Sequence, residues 1–185
     1  MNKNTMKIAL CGVLGALSVT FLLMGFMFPF ATYACPAMAA SLLMITVYEY
    51  GVKTGLTLYA AVSILGLMMV PDQELVFMYI FVFGLYTVAK LPIDRKIKSR
   101  PVKLAIKFIF INLSLIAAYG VLLFIFPVAA LVNEFAGYTK GFVILLFALF
   151  NLVFFMYDKA VQSILIIYIK KFRKTFFKFF FVNTC

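Results

Sequence analysis

Chemistry in this chain falls to six carboxylates, three cysteines, ten tyrosines and seventeen basic side chains, because it contains neither histidine nor tryptophan. Without histidine there is no imidazole base, no His-ligated zinc or haem, and no triad built on imidazole. Cys11, Cys35 and Cys185 show no CxxC spacing, so no metal site or disulfide framework follows, and no cofactor is expected. Asp72 and Glu74 stand two apart at the edge of an apolar run. Such a pair either binds a cation or cationic ligand group, or caps a helix amino terminus, where acids are favoured. Asn112 and Asn151 interrupt two other apolar runs. A buried amide in lipid either bonds a neighbouring helix or lines a ligand cavity. With Tyr33 and Glu134 these four complete the candidate substrate-binding set: Tyr33, Asp72, Glu74, Asn112, Glu134 and Asn151.

The elements that must position these residues are set by composition. Of 185 residues 66% are hydrophobic and 12% charged, far from the roughly 45–50% apolar and about 25% charged of a soluble domain. The chain reads as a single all-α integral membrane domain. Charges and prolines divide it into six spans, near residues 7–28, 36–50, 54–71, 74–91, 105–126 and 141–160. Pro29, Pro36, Pro71, Pro92 and Pro127 mark the breaks. Lys90 snorkels its stem along the lipid, and residues 90–107, rich in Lys and Arg, form a solvated loop. A continuous helix from 141 to 169 would be about 43 Å long, more than the hydrocarbon core, and calls for tilt or a projecting end. No run of ionisable residues within a span marks a proton relay or voltage sensor.

In this layout sixteen of the seventeen Lys and Arg fall on one side, and only Lys140 on the other. The positive-inside rule makes that side cytoplasmic and places both termini there. The formal charge of +11 is therefore a statement of topology, and nucleic acid is not an expected partner. The segment 170–185 mixes Lys170, Lys171, Arg173, Lys174 and Lys178 with six phenylalanines, a basic cytoplasmic tail suited to the membrane surface.

Span one opens with Ala9, Gly12 and Ala16 at spacings of three and four, beside Cys11 and Gly15 on an adjacent stripe. Small residues at that spacing let a second helix approach closely, either a partner's or one of the protein's own. The start Met6-Lys7-Ile8-Ala9-Leu10, the stretch Ala9-Leu10-Cys11-Gly12-Val13-Leu14-Gly15-Ala16-Leu17, the chain length and the inside location of both ends carry a resemblance. The chain resembles a substrate-binding S component of an energy-coupling factor (ECF) transporter, the group that imports vitamins and trace nutrients in bacteria. The family's docking motif is two alanines four apart, where this chain has Gly12 and Ala16, with Ala9 a turn earlier. The resemblance implies a cell-membrane protein that captures a small-molecule ligand near its external face under a loop, leaves it chemically unchanged, and docks on a membrane coupling subunit served by an ATPase pair. An enzyme is not expected. The alternative is a small polytopic scaffold or assembly subunit without its own ligand.

Overall fold

The computed structural model describes residues 3–28, 32–97, 99–125 and 140–172. Glu134, with its neighbours Asn133 and Tyr138, and the tail from residue 173 lie outside the described residues.

Long apolar runs must satisfy their backbone internally in lipid, and helix is the local solution. The described helices are α1 Lys3–Met27, α2 Ala34–Tyr50, α3 Val52–Met69, α4 Gln73–Lys96, α5 Arg100–Ile125 and α6 Lys140–Ile167. α4 contains a π-helical segment, Met78–Gly84, and α6 ends in a π turn, Tyr168–Phe172. Five of these helices are long and apolar enough to cross a membrane; α2, at 17 residues, is shorter. The protein is therefore a polytopic, all-helical membrane protein.

α2 and α4 form the centre. α1 and α3 pack on one side of α2, α5 packs on α4, and α6 touches α2 while bonding α4 through side chains. α4 is buried along most of its length, with Leu75–Tyr79, Val82–Gly84 and Tyr86–Val88 all enclosed. The other helices turn apolar faces outward, among them Ile64 and Met68 of α3 and Ile109, Leu113 and Ile116 of α5. Outward apolar faces are expected where the solvent is hydrocarbon.

Two prolines behave as first-turn residues. Pro36 and Pro101 sit inside the starts of α2 and α5, where the missing N–H would have had no helical partner. Gly51 joins α2 directly to α3 at φ 86°, a left-handed conformation that favours glycine. Gly55 then lets the two helices close: a Cβ there would lie 2.2 Å from Val47 Cγ2.

The half of the bundle that carries the basic residues, called inner below, corrects the expected loop. Helix continues through Pro92 to Lys96 and resumes at Arg100, so residues 90–107 are mostly helical. Lys90 is completely buried instead of snorkelling to the surface. The reason is tertiary pairing: Asp94, beyond Pro92, is held against Lys103 and Lys107 of α5, which fixes the turn that the proline would otherwise release. α6 is one continuous helix from Lys140 to Ile167, helical through Asp158 and Lys159 and projecting past the expected end of span six at 160, close to the helix over 141–169 that the sequence raised.

Candidate functional site

At the end of the bundle away from the basic residues, called outer below, α4 begins with Asp72 in an extended conformation, and its carboxylate accepts a hydrogen bond from the Leu75 N–H at 3.3 Å. Asp72 is thus the helix cap. Glu74, one step into the helix, has a different role. Its Oε1 accepts from the Tyr33 hydroxyl at 3.0 Å and from the Tyr119 hydroxyl at 3.4 Å. A residue just before α2, the first turn of α4 and the outer half of α5 therefore converge on one carboxylate. Tyr33 is half-exposed. Partial burial, then neighbouring Tyr119 and Glu74, hold its phenol above the ordinary range, so it remains a donor at neutral pH.

About 10 Å further in along α5, seven residues at 1.5 Å each, Asn112 meets Asn151 of α6. Each amide nitrogen donates to the other's oxygen, at 3.0 and 3.2 Å, and each also donates to the carbonyl four residues back in its own helix. The amides bridge two helices, the first of the two readings open from sequence. In lipid such bonds contribute on average about 0.6 kcal/mol and at most about 1.7. Asn112→Leu and Asn151→Leu are accordingly expected to show a coupling in that range in a double-mutant cycle read by unfolding in detergent. Additive losses would exclude the paired geometry.

The inner cluster was not among the sequence expectations. Asp158 of α6 accepts from the Tyr86 hydroxyl and from the Lys90 ammonium of α4, and from the Lys107 ammonium of α5 at 3.1 and 3.2 Å. Lys90 also donates to the Asp158 carbonyl. Lys107 reaches the Asp94 carboxylate at 3.0 Å and Lys103 reaches it at 3.6 Å. Aromatic edges seal this end: Tyr86 meets Phe154 at 4.7 Å, Phe83 meets Tyr157 at 5.0 Å, and the Tyr157 and Thr87 hydroxyls are 3.0 Å apart. Buried charges require partners, because desolvating an unpaired one costs several kcal/mol. A signal for this cluster exists in the sequence. Tyr86, Lys90 and Asp94 are four apart on one helix face, Lys103 and Lys107 are four apart on another, and Asp158 breaks an otherwise apolar run.

The chain matches no protein-family model, no curated protein and no solved structure. Function must therefore be argued from these side chains alone. Of the residues singled out for binding, the fold joins Tyr33 to Glu74 and Asn112 to Asn151, and it assigns Asp72 to capping.

The small residues of α1 are sorted by the packing. Gly15 faces inward, with an added Cβ 3.0 Å from Leu58 of α3. Ala9, Gly12 and Ala16 all face outward, and a Cβ on Gly12 would meet nothing within 4 Å. Among the described residues, no helix of the protein's own bundle covers the stripe.

Proposed function

We propose that the chain is the substrate-capture subunit of an ECF-type importer of a vitamin or other micronutrient, with six spans, both termini in the cytoplasm and residence in the cell membrane. The observation that carries this reading is the outward Ala9-Gly12-Ala16 face on α1. A smooth helix face serves close helix–helix approach, and a membrane coupling subunit fits it. The second support is the Tyr33–Glu74–Tyr119 cluster at the opposite end from the basic loop. It offers a carboxylate and two phenols to a neutral or cationic ligand arriving from outside, and no covalent change to that ligand is required. A multiply anionic ligand would be disfavoured, since Glu74 would have to be desolvated against a like charge.

The test is copurification from native membranes. The wild-type chain is expected to bring down a membrane subunit and an ATPase pair, and Gly12→Leu is expected to abolish that association while the thermal midpoint of the isolated protein does not fall. Retention of the partners by Gly12→Leu, or their absence from the wild type, would reject the reading. A scaffold without its own ligand is the second reading. The pairing of Asn112 with Asn151 favours it, because the N–H donors of both amides are used within the protein.

A further inference from the structure

Between α5 and α6 an apolar groove of about 410 Å³ opens on the outer surface of the bundle. Ala105, Phe154 and Phe155 line it, Lys107 and Asp158 mark its inner end, and Asn151 its upper end. From Asp158 to Asn151 is about 10 Å along α6. That is about two thirds of one hydrocarbon leaflet, taking half of the roughly 30 Å core. The groove thus runs from the basic end of the bundle toward mid-bilayer, the direction an acyl chain takes.

Charge at the inner end is unbalanced. Lys90, Lys103 and Lys107 share Asp94 and Asp158. Lys159 adds a fourth cation: its ammonium stands 4.8 Å from the Phe155 ring centroid, on the rim of the groove, and it pairs with no carboxylate among the described residues. Four cations therefore face two carboxylates. Lys103 keeps 26% of its side chain exposed, while its ammonium reaches the Asp94 carboxylate at 3.6 Å and donates to the Asp94 carbonyl at 3.1 Å. A soluble anion would satisfy the charge and gain nothing from the apolar wall. A zwitterionic lipid would fill the wall and leave the charge.

We propose that this groove is a binding site for an anionic phospholipid of the leaflet facing the basic loop, with one acyl chain between α5 and α6 and the phosphate received by Lys159 at its rim. Basic pockets between membrane helices suit such headgroups, and each basic residue near an anionic surface contributes about a fivefold gain in binding. The site is independent of the importer reading.

The experiment uses the purified full-length protein in a non-ionic detergent, with equal amounts of dioleoylphosphatidylglycerol and dioleoylphosphatidylcholine, and counts retained lipid by native mass spectrometry. Phosphatidylglycerol is expected to be retained over phosphatidylcholine by at least about fivefold, and Lys159→Gln, an exposed position, to reduce its retention about fivefold. Ala105 is also exposed, so Ala105→Trp adds bulk to the groove without entering the core and is expected to remove both lipids. Equal retention of the two lipids, indifference to Lys159→Gln, or unchanged binding in a folded Ala105→Trp protein would overturn the proposal. Displacement of the lipid by millimolar inorganic phosphate would overturn it too, since a site that grips an acyl chain does not yield to phosphate alone.

Discussion

Asp158→Asn is expected to destabilise the protein by about 3–5 kcal/mol, the cost of leaving a buried charge without its counter-ion. One carboxylate here serves Tyr86, Lys90 and Lys107, and Lys90 has no exposed surface through which to recruit water. An amide keeps the shape and offers one acceptor oxygen, but it cancels no charge. The measurement is the unfolding midpoint in mild detergent, compared at matched detergent concentration. Adding Lys90→Met to Asp158→Asn is expected to recover a substantial part of the loss, because the buried cation is removed together with its partner while Lys107 keeps Asp94. A loss under about 1 kcal/mol, or a double variant worse than the single one, would show that Asp158 is not the shared anion.

The second large effect belongs to Gly84. A Cβ at this position would lie 2.8 Å from Tyr59 Cε2 and 2.8 Å from the Tyr79 carbonyl oxygen. Neither neighbour can step aside cheaply. The Tyr59 ring is pinned by its hydroxyl, which donates to the Ile80 carbonyl at 2.8 Å, and the Tyr79 oxygen belongs to the backbone of the π-helical turn. Gly84→Ala is therefore expected to cost about 1–3 kcal/mol by overpacking, although alanine is the better helix former. Gly12→Ala is the control: the same methyl meets open space, and the helix-propensity gain of about 1 kcal/mol should appear undiminished. Equal behaviour of the two variants would mean that α3 and α4 are further apart than described.

Much of the architecture is legible because in lipid the hydrophobic run and the helix are nearly the same object. The apolar stretches of α1, α3 and α5 can be read directly, with ends displaced by a few residues from the expected ones. Proline as a terminator holds at Pro71, which separates α3 from α4, and fails at Pro92, where ion pairs to α5 hold the following turn in place. That difference rests on residues more than one helix away, which local propensity does not register. The polar residues show the same division. That Asn112 and Asn151 would either bond across helices or line a cavity follows from their chemistry, but not which of the two, nor that they would choose each other. Asp72 as a cap is local and readable; Glu74 as an acceptor for Tyr33 and Tyr119 is not, because it needs three segments to meet. The inner cluster is the extreme case. Lys90 at the end of an apolar run looks like an interfacial anchor until a carboxylate 68 positions later is placed beside it.

That separation also sets an order of events during synthesis. The counter-ion of Lys90 lies on the last described helix, so α4 leaves the ribosome before the residue that neutralises it exists. At about 5–20 residues per second, 68 residues take about 3–14 s. For that interval Lys90 must remain at the water interface or borrow Asp94 one turn away. Locking of α4 through Asp158 thus follows the synthesis of α6, and a ribosome stalled before residue 158 would leave a chain whose central helix lacks that lock.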